Sequence, residues 1–91
     1  MNIDELNEWI EECGLAEEEM QYPTGFEEAV VGYIEVPISE GYRLVMDAEK
    51  CIEILMKRDG MSREEAEEFH IFNIEGTKGE HTPVYLYKPT F

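Results

Sequence analysis

A chain of 91 residues with 22 acidic side chains against seven basic ones carries a net charge of −15. That excess argues against direct binding of nucleic acid or of an anionic membrane surface. The length suits one domain, 1–91, with a core that buries about 60–65% of the unfolded surface. Cys13 and Cys51 form no CxxC pair, and the chain shows no zinc-ligand spacing, phosphate loop or nucleophile–base pairing. No metal, no cofactor and no enzymatic reaction are therefore expected. The acidic start is unlike a signal peptide, and no apolar run approaches the ~20 residues that span a bilayer, so a cytoplasmic protein is expected.

Asn2 to Cys13 predicts an amphipathic helix. Asn2 and Glu5 have capping-box spacing, and Ile3, Leu6, Trp9, Ile10 and Cys13 recur on one side. Gly14 supplies the stop, with Leu15 placed to fold back in a Schellman turn. The other side carries Asp4, Glu5, Glu8, Glu11 and Glu12. The last two oppose the helix dipole, at a cost of about a few tenths of a kcal/mol each. A further helical turn is expected over 16–21, through Glu17, Glu18 and Glu19, so that 1–21 forms an acidic helical segment. Tyr22-Pro23-Thr24-Gly25 is a turn, and Phe26 to Ala29 is either a helical turn or the lead-in to a strand.

Val30 to Val36 is rich in Val, Ile and Tyr and predicts a strand. Gly32 marks a bulge or a close approach in it, and Pro37 ends its ladder. After a turn at 38–41, Tyr42 to Met46 is its antiparallel partner. Asp47 to Asn73 then reads as two helices joined by a tight turn. Asp47 caps the first, whose apolar stripe is Ala48, Cys51, Ile52 and Leu55. Ile54 and Met56 fall off that stripe. Lys57 and Arg58 suit the helix C-terminus, and Gly60 ends it. Ser62 with Glu65 forms a second capping box, and Met61 is placed as its staple. Ala66, Phe69, His70 and Asn73 line one face, with Phe72 beside it. A loop with Gly76 and Gly79 leads to a third strand, Val84 to Lys88, with Tyr85 and Tyr87 on one side. The expected architecture is α+β over a core of 26–88. It comprises an acidic N-terminal helix, an antiparallel β-hairpin, a helical hairpin and a final strand that completes a small three-stranded sheet.

Four stretches form a pattern across residues 26–86: Glu28-Ala29-Val30-Val31-Gly32, Gly60-Met61-Ser62-Arg63-Glu64-Glu65-Ala66, Phe72-Asn73, and Gly79-Glu80 with Pro83. Together they resemble a family of small, mostly uncharacterised proteins of tailed bacteriophages and prophages. Met46-Asp47 stands where that family has Tyr-Asp. The resemblance implies a phage origin and an α+β fold, and it implies no reaction. Residues 1–21 lie outside it.

Few side chains suggest chemistry. His70 reads as a partly buried, hydrogen-bonded imidazole and His81 as a solvated one. Asp47, Glu49 and Glu53 lack the calcium-loop pattern. Gly76-Thr77-Lys78-Gly79 has the GxxG spacing of an RNA clamp but reads as a turn in so acidic a chain. Asn73 reads as a helix-end cap. The charge itself is uneven: residues 1–41 hold acids and no base, whereas 42–61 are balanced. The candidate partner-binding set is therefore Asp4, Glu5, Glu8, Glu11, Glu12, Glu17, Glu18, Glu19, Glu27 and Glu28. Taken with the resemblance, this set leads to the expectation of a phage-encoded, non-enzymatic inhibitor. Its acidic surface would mimic nucleic acid in the basic groove of a host protein, either a CRISPR effector or another defence or transcription complex. The alternative is a small phage interaction or assembly module with no mimicry. Its apolar patch of Trp9, Met20, Tyr22, Ile54 and Met56 would either pair two copies as a homodimer or dock a partner.

Overall fold

The computed structural model describes residues 1–36, 41–75 and 81–89. The elements run α1 (Ile3–Glu12), a 3₁₀ turn (Glu27–Ala29), β1 (Val30–Val36), β2 (Gly41–Asp47), α2 (Ala48–Asp59), α3 (Arg63–Phe69), a π-helical stretch (His70–Glu75) and β3 (Val84–Leu86). The fold is α+β. The expected hairpin turn beyond Val36 and the GxxG loop at 76–79 lie outside the described residues.

Local chemistry sets both ends of α1. Asn2 Oδ1 accepts the Glu5 N–H at 2.8 Å, and Glu5 Oε1 accepts the Asn2 N–H at 3.0 Å. At the far end Gly14 adopts φ 75°, the Gly14 N–H donates to Glu11 and the Leu15 N–H donates to Ile10. This is the predicted Schellman motif, which turns Leu15 into the protein and satisfies the last carbonyls. It also ends the helix firmly. Residues 16–18 form turns instead of the expected extra helical turn, and the Gln21 N–H donates across to the His81 carbonyl at 2.8 Å. The three adjacent carboxylates Glu17–Glu19 gain nothing from a helix that would stack them.

The sheet is mixed. β2 lies in the middle, antiparallel to β1 and parallel to β3. A parallel pair needs a long crossover, and the α2–α3 unit supplies it. In β1, Val30 faces Met46 and Gly32 faces Val45, so Val31 bulges out. A Cβ on Gly32 would meet no atom within 4 Å, so the glycine serves the bulge and not a close approach. β2 runs from Gly41 to Asp47, one residue longer at each end than expected, and β3 stops at Leu86, before Lys88.

Leu6, Phe26, Ala29, Leu44, Met46, Cys51, Leu55, Ala66 and Ile74 form the centre of the core. The α2 stripe is buried as predicted. Trp9, Met20, Tyr22, Ile54 and Met56 pack against this core. All five remain partly exposed. Cys51 is fully buried, and burial, followed by the charge of Asp47, pushes its thiol up to about 12. Cys13 is only partly buried, so it is not the core thiol that its helix position suggested.

Ser62 and Glu65 close the second capping box, and Met61 packs on the core that holds Ala66. The face that follows differs from the expected one. Ala66, His70 and Ile74 point inward at strict four-residue intervals, while Phe69 and Asn73 are exposed. From His70 the stretch is π-helical, and its wider turn rotates Asn73 away from its place in an α-helical register; Phe69 is the last residue of α3. Asn73 lies within that stretch and is not a cap. His70 is fully buried and meets Tyr85 edge to face, centroids 5.0 Å apart, with Tyr87 at 6.5 Å.

Asp47 joins three elements. Its Oδ1 accepts the Glu49 and Lys50 N–H groups at 3.0 and 3.3 Å, and Lys88 Nζ lies 2.8 Å from Oδ2. Burial pushes this carboxyl up, but Lys88 and the two amides outweigh it and hold the pKa below the ordinary 3.8. A depressed folded-state value means that Asp47 stabilises the fold above the unfolded value, and that this is lost as pH falls through the folded one. Asp47→Ala is expected to cost about 1–2 kcal/mol at pH 7, and Asp47→Asn less, because asparagine retains the cap. Urea unfolding at pH 7 and pH 3 checks this. The difference between wild type and Asp47→Asn should shrink at the lower pH.

Candidate acidic interaction surface

The carboxylates of α1 fall where the helical period puts them. Asp4, Glu5, Glu8, Glu11 and Glu12 are exposed and lie on the side opposite buried Leu6. Ten residues give a helix of about 15 Å, so five carboxylates occur about once per 3 Å of axis, close to the ~3.4 Å per phosphate of one nucleic-acid strand. Glu5 also holds the cap. No basic residue stands in the last turn, where Glu11 and Glu12 oppose the helix dipole.

The remaining candidates divide. Glu17, Glu18 and Glu19 are exposed on the turns after α1, and Glu19 lies 3.6 Å from His81. Glu27 is half-buried, accepts the Gly25 N–H at 3.2 Å, and adds to the rise that burial causes in the Tyr22 pKa. Glu28 lines a hollow of ≈ 290 Å³ with Lys50, Glu53, Ile54, Lys57 and Arg58. Glu28 thus shares this hollow with three bases.

An aromatic ladder ties α1 to the hairpin. Trp9 packs on Tyr33 with centroids 5.6 Å apart, and Tyr33 packs edge-on against Tyr42 at 5.8 Å. The Tyr42 O–H donates to Glu35 Oε2 at 3.2 Å. That bond, then the charge of Glu35, burial and the charge of Glu18 push the Tyr42 pKa up. Glu18 and Glu35 therefore act on one phenol, and Glu35 extends the acidic surface onto β1. The sequence reading missed Glu35. The signal was its place opposite Tyr42 in the hairpin register.

No family model, curated protein or solved structure matches the chain.

Four of the seven bases are engaged elsewhere. Arg63 pairs with Glu49 and, at 2.6 Å, with Glu67; Arg58 pairs with Asp59; Lys50 with Glu53; Lys88 with Asp47. Among the described residues, no lysine or arginine forms an ion pair with an acid before Asp47. Arg63 draws the Glu49 carboxyl below the usual range. These four bases thus offset acids of β2, α2 and α3 and, among the described residues, none of them pairs with α1, the following turns or Glu35.

Other chemistry finds little support in the geometry. Among the described residues, no three His, Cys, Asp or Glu side chains group to hold a metal ion. No helix among them is long and apolar enough to cross a membrane.

Proposed function

We propose that this chain is a phage-encoded, non-enzymatic inhibitor whose acidic N-terminal surface occupies the basic nucleic-acid groove of a host protein in the host cytoplasm. A CRISPR effector is the first target class, and another defence or transcription complex the second. One observation supports this reading: among the described residues no lysine or arginine forms an ion pair with the carboxylates of α1, Glu17, Glu18 or Glu35, while Lys50, Arg58, Arg63 and Lys88 pair with acids of α2, α3 and β2. The charge spacing along α1 suits guanidinium and ammonium groups that otherwise hold phosphates. The phage origin rests on the sequence resemblance.

A displacement assay tests the reading. The chain is titrated into effector complexes loaded with fluorescent DNA, at about 50 mM and about 300 mM salt. Displacement at low salt that fades steeply at high salt is expected, because the contact is made of screened surface charges. Failure to displace DNA from any basic nucleic-acid-binding complex would remove the proposal.

A further inference from the structure

The outer side of α3 carries an arrangement that the acidic face does not use. Met61, Glu65, Glu68, Phe69, Phe72 and Asn73 enclose an open hollow of ≈ 330 Å³. Phe72 is 75% exposed and Phe69 36%. Phe69 ends α3 on its outer side, and the π-helical stretch that follows keeps His70 and Ile74 in the core with Phe72 and Asn73 exposed. Such insertions often mark functional positions.

The walls of the hollow have a definite chemistry. The floor is aromatic and thioether. The rim carries the carboxylates of Glu65 and Glu68. Glu65 accepts the Ser62 N–H, and the two Ser62 hydrogen bonds hold its pKa below the usual range. Arg63, the cation on the same helix, is already held by Glu49 and Glu67. Among the described residues, Glu68 forms no ion pair.

We infer that this hollow receives an arginine side chain from a basic segment of a partner protein. A planar guanidinium stacks on an exposed Phe ring and still donates in its plane to a carboxylate, which a hydrated ammonium does less well. Phe72 supplies the face, Glu68 the acceptor, and the Asn73 amide a site for the partner's backbone. A second copy is the poorer occupant. A twofold contact would set Glu65 and Glu68 of one chain against those of another, between molecules of net charge −15. The inference stands whether or not the α1 surface binds a nucleic-acid-binding protein.

The test uses an acetylated, amidated hexapeptide of alternating arginine and leucine, and its lysine counterpart, at about 0.15 M salt to suppress long-range attraction. NMR is expected to show the arginine peptide shifting the Met61 methyl and the Phe69 and Phe72 ring signals. Phe72→Ala should weaken binding by about tenfold, Glu68→Gln by several-fold, and the lysine peptide should bind several-fold more weakly. The triple variant Glu8→Gln, Glu11→Gln, Glu12→Gln should stay within about twofold of wild type. Phe72 is exposed, so Phe72→Ala should melt with the wild type; Phe72→Gln serves as the second variant if it does not. Shifts confined to α1, a Phe72 variant that binds within about twofold of wild type, or no binding at millimolar peptide would each overturn the inference.

Discussion

Replacing Glu8, Glu11 and Glu12 together by lysine is expected to weaken binding to a basic nucleic-acid-binding partner by about two to three orders of magnitude. Each reversal removes an attraction of about 0.5–0.6 kcal/mol at an exposed site and adds a repulsion of similar size. Three such changes sum to about 3–4 kcal/mol, and each 1.4 kcal/mol is tenfold in affinity. The loss should fall mainly on the association rate and shrink as salt is raised. The same variant should fold at least as well as the wild type. Glu11 and Glu12 stand in the last turn of α1, where lysine suits the exposed carbonyls and each exchange favours the helix by about 0.3–1 kcal/mol. Stability and binding should therefore move in opposite directions. A purely solubilising acidic face would give the stability gain without the binding loss. Stopped-flow association at two salt concentrations, with a thermal melt alongside, separates the two outcomes.

Leu6→Ala is expected to cost about 3 kcal/mol, within the 2–5 kcal/mol range for a buried leucine. Leu6 is the residue of α1 that is fully buried; Trp9 and Ile10 pack only partly against the core. A protein of this size holds about 5–10 kcal/mol of stability, so the variant should remain folded with a much lower urea midpoint. Part of the loss should appear as local opening of α1, because little else anchors it. Hydrogen exchange should then show faster amide exchange in α1 than in α2. Uniform loss of protection across both helices would mean that α1 is held by more than its one buried leucine.

What could be read from residues alone follows the range of the forces involved. Both capping boxes, the Schellman turn and the Ala48–Cys51–Ile52–Leu55 stripe depend on neighbours within a few positions, and all are present. The inward face after Ala66 was misread because an α-helical period was carried into a stretch that is π-helical. Nothing local in His70-Ile71-Phe72-Asn73 announces that change, which lets His70 meet Tyr85 on a distant strand. The partners of Ile54 and Met56 were invisible for the same reason. The exposed carboxylates of α1 were legible from helical spacing. Glu35 was not grouped with them, because the link runs through Trp9, Tyr33 and Tyr42 on three elements. That Glu28 shares a hollow with Lys50, Lys57 and Arg58 was not legible either, since those bases come near it only in the folded chain.

The parallel pairing of β3 with β2 has a kinetic consequence. The β1–β2 ribbon and the α2–α3 unit are built from contacts near in sequence and can form within microseconds to milliseconds. Val84–Leu86 can add to β2 only after both are in place, because its partner lies across the whole crossover. Its contacts should be absent from the folding transition state. Truncating Val84 or Tyr85 should then steepen escape from the native state while leaving the refolding limb of the chevron almost unmoved.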